Sequence, residues 1–156
     1  MNTADLYQCL DIANKEFEKH QADTFRHWSF IFQNGKVLEW AQNRLGNPVG
    51  LHKLGYLDKR HSIHAEPRAF MKARGILNRR KAWECVNVRL GANREPRMSL
   101  PCWRCLNFLK ALDCSMIHFT TKEGIFAHFN PQKIPWELYS PHNPDTCTNV
   151  RNAKRR

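Results

Sequence analysis

The sequence predicts an α/β domain with helices packed on a sheet, because helical and strand periodicities alternate along it. Apolar residues recur at helical spacing over 4–22, over a stretch opening at His64, and over 102–112. Between these lie apolar or alternating runs at 25–32, 36–41, 83–90, 115–121 and 125–129, which read as five strands. The connections narrow the topology further. Asn34-Gly35 is the strongest two-residue hairpin signal, and only Lys122-Glu123-Gly124 separates the last two strands. A link that short cannot make the crossover a parallel pair needs, so the last two strands are predicted to form an antiparallel hairpin. The order α-β-β-α-β-α-β-β suits one sheet with helices laid on it.

The first helix carries Leu6, Leu10, Ile12, Ala13 and Phe17, with no Pro or Gly to interrupt it. The first strand sets Trp28, Phe30 and Phe32 on one face. Residues 43–61 contain Gly46, Pro48, Gly50 and Gly55 and read as a long loop over the site. The second helix opens at His64. Pro67 fits its first turn, where no N–H is needed, and Gly75 is a natural stop. A polar loop follows the third strand, and the third helix turns Leu106, Phe108, Leu109 and Leu112 inward. Prolines at 131, 135, 141 and 144 exclude long regular elements beyond that point. The chain therefore divides into a domain over 1–130 and an extension over 131–156 that ends in a basic tail.

At 156 residues and 42% hydrophobic content, one domain with a proper core is expected and wholesale disorder is excluded. No apolar run reaches the length of a membrane span, and the first twenty residues lack a basic start followed by an apolar core. The expectation is a cytoplasmic protein with no membrane partner. Of six cysteines, two form a C-x-x-C pair and the rest show no framework spacing. Cys85 and Cys114, set among apolar residues, read as small buried hydrophobes. The net charge of +11 favours anionic partners through attraction and counterion release.

Chemistry concentrates in His64-Ala65-Glu66 and Pro101-Cys102-Trp103-Arg104-Cys105. His64, Cys102 and Cys105 suit Zn²⁺, and three protein ligands leave the fourth tetrahedral position open to water, which a structural site would fill with protein. Three-residue spacing puts both sulfurs on one face of a helix's first turn. Helix starts favour negative charge, so both can bind as thiolates. Glu66 follows the histidine by two and is placed to move a proton without being a ligand. A structural zinc site remains an alternative. A thioredoxin-like redox pair would leave His64 and Glu66 unexplained.

The H-x-E…P-C-x-x-C pattern resembles the signature of the cytidine deaminase superfamily, and the resemblance covers roughly residues 25–130. It implies a three-layer α-β-α cytidine deaminase-like fold with a five-stranded mixed sheet. It also implies hydrolytic conversion of a cytosine-type base to uracil, with zinc held by His64, Cys102 and Cys105 and Glu66 as proton shuttle. On the substrate side it implies Asn43 as a ligand of base or ribose and Ala65 as the backbone that meets the pyrimidine. Phe25 stands where relatives place a stacking aromatic, while Pro101 and Trp103 lie beside the metal. His27 reads as a satisfied strand histidine, with a substrate hydrogen bond as the alternative.

The final hairpin resembles the cytidine and blasticidin deaminase arrangement, which points to small substrates. Leu45 stands where free-nucleoside deaminases often carry a glutamate for the ribose hydroxyl, which together with the charge points to phosphate. The Arg94/Arg97 loop leads into Pro101 and is expected to border the site. The expected partner is a cytosine-containing nucleotide or a single-stranded nucleic acid, and a homo-oligomer is expected if the substrate is a monomer. A non-catalytic zinc-stabilised nucleic-acid-binding domain and an adenine-type deaminase are the alternatives.

Overall fold

The structure is a computed structural model and describes residues 1–19, 26–45 and 62–139. Helix α1 (Thr3–Glu16) opens at Asn2, whose side chain accepts from the Asp5 N–H while Asp5 accepts from the Asn2 N–H. This reciprocal cap satisfies two N–H groups that the helix cannot pair internally. A short 3₁₀ turn, Phe17–Lys19, continues it. Strands β1 (Arg26–Gln33) and β2 (Lys36–Gln42) form the expected hairpin. Asn34 and Gly35 both take positive φ, 54° and 70°, as a two-residue turn matched to strand twist requires.

Two short strands, β3 (Arg44–Leu45) and β4 (Ser62–Ile63), pair with each other ahead of helix α2 (Ala65–Ala73). Most of the expected long loop, residues 46–61, lies outside the described residues. The chain continues through β5 (Glu84–Leu90), β6 (Pro96–Arg97), α3 (Trp103–Ala111), β7 (Met116–Thr120) and β8 (Phe126–Phe129).

The main sheet runs β2-β1-β5-β7-β8, with β6 added on β5. It is mixed: β1 is antiparallel to both neighbours, β5 and β7 are parallel across the α3 crossover, and β7–β8 is the predicted antiparallel hairpin. The sheet thus has six strands where five were expected. The extra strand comes from the polar loop after β5, which turns back so that Arg89 and Leu90 face Arg97 and Pro96. Two residues are too few to leave an alternation in the sequence.

Alternation along the strands builds two cores. Cys9, Ala13 and Phe17 of the α1 segment cover Trp28, Phe30, Phe32, Val86, Val88 and Leu90. On the opposite face, α2 and α3 cover Ile31, Cys85, Ile117 and Phe119 with Phe70, Leu106, Phe108 and Leu109. Trp83 anchors this second core by donating from Nε1 to the Leu112 carbonyl at 3.2 Å. Burial pushes the Cys114 thiol up to about 12 and raises Cys85 as well, so both behave as the expected small hydrophobes. Among the described residues no disulfide forms.

Residues 131–139 return over the α2/α3 face and close with a 3₁₀ turn, Trp136–Tyr139. The Tyr139 hydroxyl is buried and donates to the Pro101 carbonyl at 2.8 Å. Trp136 lies over Trp103 with ring centroids 5.1 Å apart. The basic tail lies outside the described residues. No helix among the described residues is long and apolar enough to cross a membrane.

Candidate functional site

Helices α2 and α3 begin beside each other, and their N-cap residues are His64 and Cys102. N-caps are ordinarily Ser, Thr, Asp or Asn, whose side chains close the first turn. Neither His64 nor Cys102 makes such a bond. Their side chains turn to one another instead. The sulfurs of Cys102 and Cys105 each lie 3.3 Å from His64 Nδ1, and the three donor atoms fall within 4.8 Å of one another. One nitrogen and two sulfurs converging at two helix N-termini form a donor set suited to a tetrahedral divalent metal.

Charge is divided unevenly between the thiols. A hydrogen bond from Cys105 lowers the Cys102 thiol well below its usual value, with His64 adding to the effect. Burial drives Cys105 well up, and the hydrogen bond it gives to Cys102 adds to the rise. The pair carries one negative charge readily, and a cation in the triangle would stabilise the second.

Glu66 sits in the first turn of α2 and is 1% exposed. Its Oε1 accepts a 2.9 Å hydrogen bond from Asn87 Nδ2. Its Oε2 is buried with no hydrogen-bond partner among the described residues. Asn87 lies in mid-strand β5, and its Oδ1 accepts from the Ser29 hydroxyl on neighbouring β1. The Ser99 hydroxyl donates to the Asn87 carbonyl at 2.8 Å and accepts from the Thr120 N–H at 2.7 Å. This buried network joins β1, β5 and β7 to the segment that leads into Pro101, and it fixes Glu66 against the donor triangle.

Sequence reasoning passed over Asn87. The signal was present, since an asparagine inside the apolar run ECVNVRL has to find partners once the strand is buried. For His27 the expectation is a satisfied strand histidine, with a substrate hydrogen bond as the alternative, and the first of these is not met at its ring. Its Nε2 is buried, lacks a hydrogen-bond partner among the described residues, and lies 3.8 Å from Glu66 Oε1, beyond hydrogen-bond reach. Burial lowers its pKa, which keeps the imidazole neutral at pH 7.

Asn43 follows β2 directly and is tied to His27 twice. Its Oδ1 accepts from the His27 N–H at 3.2 Å, and its own N–H donates to the His27 carbonyl at 3.1 Å. Ala65 is fully buried between His64 and Glu66. Pro101 is buried with its carbonyl bound by Tyr139, and Trp103 is half-buried, packed by Trp136 and Tyr139. Phe25 lies outside the described residues. Arg94 departs from expectation. It pairs with Glu18 at 2.8 Å and lies over the Phe17 ring, because the α1 segment offers it a carboxylate and an aromatic face. Arg97 is held by Glu95 at 2.7 Å.

No protein-family model matches the chain, and no curated protein matches it. Among solved structures it is similar to the apo form of dCMP deaminase from the cyanophage S-TIM5, with a TM-score of 0.53 and 15% identity. The match covers 80% of this chain and 90% of that one. The chain thus has a cytidine deaminase-like fold, the one seen in a dCMP deaminase.

Proposed function

We propose that this chain is a zinc-dependent hydrolytic deaminase that converts a cytosine-type base to uracil in a phosphate-bearing substrate. The observation that carries the reading is the convergence of His64, Cys102 and Cys105 with Glu66 held beside them and outside the donor set. A zinc site that only stabilised the fold would have no use for a buried carboxylate with one oxygen left unpaired.

Zn²⁺ would be held by His64, Cys102 and Cys105 and would supply a water acidified towards a pKa of about 7. Glu66 moves both protons of the attacking water, the first to the ring nitrogen and the second to the leaving amine. The water oxygen forms a bond to the amine-bearing carbon, the carbon–nitrogen bond breaks, and ammonia leaves. Asn87 keeps Oε1 fixed, so that Oε2 is the oxygen that works. Asn43 and the backbone of Ala65 are assigned to base and sugar, with Pro101 and Trp103 on the walls.

A nucleotide substrate is supported by the dCMP deaminase likeness, and any anionic substrate by the +11 charge. The same charge supports a second reading, in which the cytosine lies in a single-stranded nucleic acid. One panel separates them. Zinc-loaded protein is offered cytidine, deoxycytidine, their monophosphates and a cytosine-containing oligonucleotide, and products are identified by mass spectrometry. Turnover of the monophosphates is expected. Turnover of the oligonucleotide alone would establish the second reading, and turnover of none would remove cytosine deamination.

A further inference from the structure

We propose that His27 contacts the substrate, through a hydrogen bond from its imidazole Nε2 to the polar edge of the bound pyrimidine. This rests on the deaminase reading and deepens it by naming a residue that recognises the base.

Two unpaired polar atoms lie close together here. His27 Nε2 and Glu66 Oε2 are both buried and both lack a hydrogen-bond partner among the described residues. Buried polar groups are nearly always paired, so two such atoms at one place mark a polar ligand that bonds to both. Nε2 stands 3.8 Å from Glu66 Oε1, too far for the two residues to satisfy each other and near enough for one small molecule to reach both.

The imidazole is also held where a recognition group has to be. His27 belongs to β1, opposite Arg89 of β5, and both of its backbone groups are engaged by Asn43. Its ring is therefore positioned by the sheet and not by a loop, which favours precise placement. A neutral imidazole offers one donor and one acceptor. The pyrimidine edge beside the reacting carbon carries a ring nitrogen, an exocyclic amine and a carbonyl in a row, so Glu66 and His27 can engage neighbouring atoms of that edge. An ordered water between the two residues would also satisfy them, and the test distinguishes it.

The experiment is calorimetric titration of cytidine and uridine 5′-monophosphates into zinc-loaded wild-type protein, His27→Ala and His27→Gln. Zinc content and melting temperature are measured on each sample. We expect His27→Ala to weaken nucleotide binding roughly tenfold at unchanged zinc content. His27→Gln should recover part of the loss, because its amide can donate and accept from the same side. In kinetics, KM should rise more than kcat falls. Unchanged affinity in His27→Ala would overturn the contact and leave a water there. So would a loss that tracks zinc content, or a Gln variant no better than Ala. If wild-type protein binds nucleotide without deaminating it, the deaminase reading fails and the binding ratios alone decide His27. If it binds no pyrimidine nucleotide, both fail.

Discussion

Replacing Asn87 by alanine would leave the buried Glu66 carboxylate with neither oxygen held, because Oε1 has its hydrogen bond from Asn87 and Oε2 has none. The expected outcome is a kcat reduced by roughly 10–100-fold at nearly unchanged KM and zinc content. Steady-state kinetics with elemental analysis would check it, and a change in KM alone would assign Asn87 to binding. Glu84 offers a test away from the site. A hydrogen bond with His118, at 3.1 Å, holds its carboxyl below the ordinary value of 4.5. A depressed carboxyl stabilises the fold above its unfolded pKa and stops doing so as pH falls through the lower, folded value. The melting-temperature gap between wild type and Glu84→Gln should thus hold from pH 7 down to about 4.5 and close below it. A gap that failed to close in acid would contradict the pairing. Local spacing made it legible that the donor atoms of His64, Cys102 and Cys105 would meet. The contact between Ser29 and Asn87 was not legible. It depends on which residue faces which across β1 and β5, and tertiary packing sets that register.

Elements were readable when they were long and periodic, or when turn chemistry was unambiguous. The Asn34-Gly35 hairpin is the clearest case, and its conformation makes a prediction. Gly35 has φ of +70°, and a Cβ added there would meet nothing within 4 Å. Gly35→Ala therefore carries only the backbone penalty, about 1 kcal/mol, and should lower the melting temperature by about 2–4 °C. An unchanged melting temperature would mean that the turn relaxes to another type. Strands β3, β4 and β6 were missed because two-residue strands carry no period. The packing of residues 131–139 was also hidden, since prolines mark where regular structure stops and not where the chain goes next. Tyr139→Phe would remove the bond to the Pro101 carbonyl, a buried acceptor next to Cys102. A stability loss of about 1 kcal/mol is expected in thermal melts. No loss at all would mean that the aromatic packing alone holds the segment.

For the whole molecule, the topology follows from few constraints: short hairpin links at both ends of the sheet and one helical crossover between the parallel pair β5–β7. Those links were readable, and so was the three-layer order. Surface charge was readable only as a total. The sequence cannot say that Arg94 is taken up by Glu18 and Phe17 on the α1 face, because that contact joins segments 76 residues apart. What the fold does for the site is bring two helix starts, the start of β1, the end of β2 and the middle of β5 to one place, so that Glu66 lies between the donor triangle and the sheet. In the proposed function this arrangement uses water to replace an amine with an oxygen. This is tested most directly by incubating zinc-loaded protein with cytidine and deoxycytidine monophosphates in heavy-oxygen water, beside Glu66→Gln. A uracil-type product carrying one heavy oxygen per molecule is expected with wild type, and no product above background with the variant. Equal product from both proteins, or product without the label, would contradict it.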